Sequence, residues 1–241
     1  MDKSLEKNIK EIEKDFYQTY LSGLAYLGGV DIEKDAKKGL TLIKQAAECG
    51  LEVAMRKMIE IYLEGILVKK SLIIAKEWYD RLIEEKEEKS NTVDEMISLF
   101  ELYDEYCNFL NKARYYVSFP IFAKEKMLPM AERYVNRNES VYWDPKENTI
   151  LFWLCKSYYW VVFAEMQLDA NNYHAKEYSE LIKIYKKSII DDDYLPIINE
   201  CLEYVEKAKT FWNEIDLFLK KERSKKENEE NKNNKRKLSH K

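Results

Sequence analysis

Histidine is the side chain that gains or loses a proton nearest neutral pH, and the chain has only two, His174 and His240. Neither a three-ligand zinc site nor a nucleophile with a histidine base can be assembled from them, so both read as surface residues. Gly28-Gly29 has the look of a fragment of a phosphate loop. No Gly-x-Gly-x-x-Gly or Gly-Lys-Ser/Thr follows a strand, however, and a helix terminator is the reading that fits. Asp191-Asp192-Asp193 offers oxygens to a hard cation but lacks the alternating spacing and distal Glu of a calcium loop. It reads as an acidic cluster favoured by the positive end of the next helix. Carboxylates around Glu165 and Asp169 are the remaining route to catalysis, and they would need an enclosed pocket that perturbs both ionisations. Nothing in the sequence requires that pocket. No cofactor or metal is expected, and the chain reads as non-catalytic.

Composition points the same way. With 46% hydrophobic residues in 241, there is enough apolar material for a core. Six glycines and four prolines favour long helices with few turns. A net charge of −4, with 35% of residues charged in both signs, leaves no global positive field to collect phosphates and speaks against nucleic acid as a partner. Lys235-Arg236-Lys237 lies near Glu227, Glu229 and Glu230, and reads as a solubilising stretch before it reads as a basic tag. Cys49, Cys107, Cys155 and Cys201 are widely spaced, with no Cys-x-x-Cys pair, as expected of reduced and mostly buried thiols. Residues 1–7 lack the apolar run of a secretory signal, and a cytoplasmic location is expected. Ile150 to Leu168 comes nearest to a membrane span. Lys156 and Glu165 interrupt it, so it reads as a buried helix and no membrane is expected as a partner.

The elements that must hold any site are helical hairpins. Residues 17–50 and 53–86 are two copies in one register: Tyr26 matches Tyr62, Gly29 matches Gly65, Ile32 matches Val68, Gly39 matches Ala75, Leu42 matches Trp78 and Glu48 matches Glu84, each pair 36 apart. That period belongs to stacking repeats. Helix A of the first copy covers about 16–27 and helix B about 35–48; in the second copy helix A presents Ala54, Met58, Ile61 and Tyr62, and helix B presents Ala75, Trp78, Tyr79, Leu82 and Ile83. Gly29 and Gly65 supply a positive φ to the turns. Gly39 and Ala75 let the paired helices approach closely.

On these residues the chain resembles the Sel-one-like repeat, a relative of the tetratricopeptide repeat. The first copy carries Gly23, Tyr26, Gly29, Asp35, Ile43, Ala46-Ala47-Glu48 and Gly50; the second carries Ala54, Tyr62, Gly65, Ala75, Trp78-Tyr79 and Glu84. It departs from the pattern at Gly39 and Leu42, and again at Ser71, Leu82-Ile83 and Lys86. The resemblance covers about residues 17–86. It implies an all-α right-handed solenoid of antiparallel helical hairpins, followed here by a more bundle-like C-terminal half. It further implies that helix A lines a groove: Tyr17, Tyr20 and Leu24 in the first copy, Val53, Arg56 and Glu60 in the second. An extended or helical peptide, or a protein surface, is the partner expected there, with Arg56 as a charge-assisted donor. The alternative is that Tyr17 and Leu24 are covered by the N-terminal helix and no groove is open. Most of the 18 tyrosines are expected to be packing residues.

Outside the repeats the register is lost. Residues 1–16 read as an N-terminal capping helix that runs into or caps the first hairpin, with Leu5, Ile9, Ile12 and Phe16 on one stripe. Residues 92–222 read as degenerate helical hairpins, and 223–241 as a disordered, solvated tail of Lys, Asn and Glu. Within that region Thr92-x-x-Glu95 is a capping box, Phe119-Pro120 a break, Pro129 a kink or late start, and Asp144-Pro145-x-Glu147 the start of a long helix. The last helix carries Ile198, Cys201, Val205, Ala208, Trp212, Ile215 and Leu219 in steps of three and four. Packing on the preceding hairpin accounts for that seam; self-association through Ile198, Val205, Trp212 and Leu219 is the alternative.

Overall fold

The computed structural model describes residues 3–29, 32–137, 145–167, 174–189 and 192–238, and the side chains of residues 14–29, 32–135, 149–167, 174–189 and 192–226. The described residues are all-α and divide into two compact units, Met1–Tyr106 and Cys107–Lys241.

The first unit is built by the 36-residue period. Helices α1 (Lys3–Gly28) and α2 (Ala36–Glu48) form one hairpin, and α3 (Glu52–Glu64) and α4 (Leu72–Lys89) the next, with α2 packed on α3. The match extends to single hydrogen bonds. Asp35 caps α2 by accepting from the Lys38 N–H at 2.9 Å, and Ser71 caps α4 by accepting from the Ile74 N–H at 3.3 Å. The Asp35 N–H donates to the Tyr26 carbonyl at 3.0 Å, and the Ser71 N–H donates to the Tyr62 carbonyl at the same distance. Gly29 and Gly65 adopt φ of 70° and 74°, the left-handed region that ends a helix. Ser71 in place of Asp thus preserves the cap, because a hydroxyl can accept the same bond.

Close approach is tightest in the first hairpin. A Cβ at Gly39 would lie 2.7 Å from both the Gly23 carbonyl oxygen and Leu27 Cδ2. In the second hairpin Ala75 is fully buried at the matching place. Ala46 and Ala47 complete the core with Ile43, Met55, Met58, Ile61 and Leu82, of which each of the five larger side chains is worth about 1.5–3 kcal/mol.

Helix α5 (Val93–Lys112) crosses the division between the units. Its start is the expected capping box: the Thr92 N–H donates to Glu95 at 2.9 Å and the Glu95 N–H donates to Thr92 Oγ1 at 3.3 Å. Tyrosine-to-carboxylate bonds tie its first part to α4. Tyr103 donates to Glu87 at 2.5 Å, Tyr106 donates to Asp80, and Tyr79 of α4 donates to Glu105 at 2.6 Å.

In the second unit α6 (Ser118–Phe122), a π-helical turn (Ala123–Met127) and α7 (Leu128–Arg137) follow one another, and α8 (Pro145–Gln167), α9 (His174–Lys186) and α10 (Tyr194–Leu238) complete it. Helix α8 is its centre. From Ile150 to Cys155 six consecutive side chains are buried, which no amphipathic surface helix shows. It is enclosed by α7, α9, α10 and the π turn, and no described helix is long and apolar enough to cross a membrane. Aromatic rings fill the contact: Phe119 meets Trp160 edge-on at 5.5 Å, and Tyr204 lies 5.2 Å from Phe163.

Residues 3–16 are continuous with the rest of α1. Other expectations are corrected or narrowed. Helix α5 ends at Lys112, ahead of Phe119-Pro120, and Arg114 takes a φ of 60°; Pro120 sits in the first turn of α6, where its missing N–H costs nothing. Pro129 is the second residue of α7, the start that was one of its two readings. It follows the π turn, in which the Leu128 N–H reaches back to the Ala123 carbonyl. Helix α10 runs on to Leu238 through the stretch expected to be disordered; residues 223–226 are solvent-exposed, and Lys225 pairs with Glu222 at 2.7 Å along the helix. The cap at Asp144, Glu147, Asp169, Asp191 and the side chains of the basic stretch at 235–237 lie outside what is described.

Candidate functional site

Helices α1 and α3, the two A helices, carry the six residues expected to meet a partner. Tyr17 is 45% exposed and Val53 42%, while Tyr20, Leu24, Arg56 and Glu60 are half-buried. The rings of Tyr17 and Tyr20 lie 6.2 Å apart, one turn along α1. Tyr20 feels charges from α3: burial raises its hydroxyl pKa, Lys57 opposes this and Glu60 adds to it. Lys57 donates to Glu60 at 2.6 Å. Tyr20 of α1 therefore lies within electrostatic reach of Lys57 and Glu60 on α3.

Arg56 is held differently from the free donor that was expected. Its Nε donates to Glu52 at 3.0 Å and its Nη1 to Glu105 at 2.9 Å, and Glu52 also receives Lys86 at 3.1 Å. Burial pushes the Glu52 carboxyl up, but the bonds from Arg56 and Lys86 outweigh it and hold the group below its ordinary range. Burial and the bond to Glu105 together raise the Tyr79 hydroxyl. Lys86, Glu52, Arg56, Glu105 and Tyr79 thus form one chain of charged and polar contacts along α3, α4 and α5. The Glu52–Arg56 part is an i,i+4 pair that the sequence displays. Glu105, 49 positions beyond Arg56, gives no such signal.

At the end of this face a cleft of about 530 Å³ opens between the middle of α1, the α2–α3 turn and the end of α4, lined by Phe16, Tyr17, Cys49, Leu51, Glu52 and Lys89 among others. Tyr17 and Glu52 belong to both cleft and face. Cys49 is the exposed cysteine, whereas Cys107, Cys155 and Cys201 are buried. Burial, with Cys201 nearby, pushes the Cys155 thiol up to about 12, which keeps it protonated.

In the second unit His174 is only partly exposed, and it is engaged by neighbours where a solvated residue was expected. Its Nδ1 lies 2.5 Å from Glu165 Oε1, and its ring stacks on Tyr178 with centroids 5.1 Å apart. Glu165 is 7% exposed; burial raises its pKa, while His174 and Lys124 oppose the rise. Glu132, also raised by burial, receives Tyr158 at 3.4 Å. Two perturbed carboxylates therefore share one unit, but Glu165 is already engaged by His174. Among the described residues no group of three or more His, Cys, Asp or Glu side chains could hold a metal ion. The C-terminal seam splits in two: Ile198, Val205 and Trp212 are buried within the unit, and Leu219 is 40% exposed.

No protein-family model matches the sequence, and no curated protein matches it. Among solved structures the chain is similar to the crystal structure of a Sel1 repeat protein from Oxalobacter formigenes, at 16% identity over 81% of this chain and 86% of that one, with a TM-score of 0.30. At that score the superposition carries no argument about function.

Proposed function

We propose that the chain is a non-catalytic, cytoplasmic adaptor or regulator that binds a peptide or protein partner on the A-helix face of its two repeats. What supports the reading is that Tyr17 and Val53, on the A helices of successive repeats, leave nearly half their surface uncovered. The reading is also supported by helix α1 running unbroken from Lys3 to Gly28, with no turn that would fold its first half back on the second. Tyr17, Tyr20, Leu24 and Val53 provide the apolar and aromatic contact, and Glu60 an acceptor for a basic group on the partner. Arg56 serves in this reading chiefly as a strut, since Glu52 and Glu105 hold it in place. A rigid hairpin pair loses little ordering entropy when a partner docks.

The test is affinity capture from a lysate of the source organism, run in parallel with the natural chain and a Tyr17→Ala, Tyr20→Ala, Val53→Asp variant. A binder lost by the variant supports the reading, with about a tenfold or greater fall in affinity once that binder is purified. Recovery of the same proteins in the same amounts by both chains overturns it.

A further inference from the structure

Beyond Trp212 the last helix outruns the fold that holds it. Trp212 is 5% exposed, and Lys209 still reaches Glu180 of α9 at 3.3 Å, but among residues 213–226 none is buried. The apolar residues do not stop there. Phe211, Leu217, Phe218 and Leu219 are 44%, 58%, 62% and 40% exposed, and Ile215 is half-buried. Phe211, Ile215 and Phe218 follow each other at four and three positions, a single stripe with coiled-coil spacing that lies beside the seam closed by Trp212 and shares Ile215 with it. The geometry points to a second copy of this chain as what covers the stripe, with the two α10 helices running antiparallel.

Charge selects both the occupant and the direction. Residues 203–216 carry Glu203, Glu206, Glu214 and Asp216 against Lys207 and Lys209, whereas residues 220–226 carry Lys220, Lys221, Arg223, Lys225 and Lys226 against Glu222 alone. The excess negative charge, Glu214 and Asp216, lies within the stripe and the positive charge follows it, so the helix complements itself only when the second copy runs the opposite way. With Ile215 facing Phe218 of the second copy, Glu214 flanks Lys221 across the pair, and two-fold symmetry makes the contact twice. A parallel pair would instead set Glu222 on Glu222 and Lys225 on Lys225. The stripe is short, which suits a weak, concentration-dependent dimer better than an obligate one.

Sedimentation velocity on the full chain, from micromolar to submillimolar concentration, tests this. A reversible monomer–dimer equilibrium is expected, abolished by Phe218→Glu with an unchanged helical circular-dichroism spectrum, since that ring is 62% exposed and outside the core. Glu214→Lys and Lys221→Glu should each weaken the dimer by roughly fivefold to tenfold, and the two together should restore it. A chain that stays monomeric throughout, or a dimer that Phe218→Glu leaves intact, overturns the proposal. So does a double charge variant no stronger than the weaker single one, because only the antiparallel pair exchanges those two charges.

Discussion

The two units reach a packed core by different routes. In the first, small residues let helices touch and polar ties fix their order: Gly39 against Gly23 in one hairpin, then Tyr79, Tyr103 and Tyr106 bonded to Glu105, Glu87 and Asp80 between α4 and α5. In the second, one helix is buried on nearly every side and is wrapped in aromatic rings. A repeat needs a face that can be copied, so it encodes its contacts locally. A bundle with a buried central helix needs no period, and its contacts join residues that have no sequence relation.

That contrast can be broken by experiment. The largest effect is expected from Trp160→Ala, which empties the aromatic contact with Phe119 and Phe163 and should cost about 3–5 kcal/mol. Amide hydrogen exchange should show α8 to α10 losing protection while α2 and α3 keep theirs. If both lose it together, the chain is one cooperative unit and the contrast is only one of composition. Next is Gly39→Ala, whose new Cβ would sit 2.7 Å from a carbonyl oxygen of α1; an expected cost of about 1–3 kcal/mol, read by denaturant titration, should open the first hairpin selectively.

The smallest effect separates the units by pH. Glu206 of α10 receives Lys183 at 2.6 Å and Ser179 at 2.5 Å, and these bonds, joined by Lys209, hold its pKa down to about 2 against an ordinary value of 4.5. Its folded pKa is depressed, so its contribution to stability is complete above 4.5 and is lost as the pH falls towards 2. Glu206→Gln should therefore flatten the acid side of the second unit's stability curve between those values. At neutral pH the change should stay below about 1 kcal/mol, because the cluster is partly exposed. A curve as steep as that of the natural chain would mean that Glu206 does not clamp α9 to α10.

Much of the first unit was legible because its signals act over a few residues. Asp35, Gly29, Gly65 and the Thr92–Glu95 box each shape the backbone within one turn of themselves. On the candidate face Tyr17 and Val53 are exposed, whereas Arg56 is drawn to Glu105 by a contact that periodicity cannot express. His174 was misread for a similar reason. The residue that partly buries and pairs with it, Glu165, lies on the preceding helix, and neither residue type nor spacing distinguishes that pair from two solvated charges. The last helix was read correctly as a seam, but its pattern does not say where the seam stops being covered.

What the sequence by itself determined is the local frame: a 36-residue hairpin period, its caps and glycine turns, and an all-α chain, since these depend on backbone preferences and on neighbours within a turn or two. Only the tertiary structure decided which carboxylate meets which cation, that Ile198, Val205 and Trp212 are consumed inside the subunit, and that the apolar residues after them are left uncovered. Such outcomes turn on distances through space between segments far apart in the chain, and on where one helix outlasts the helices packed against it.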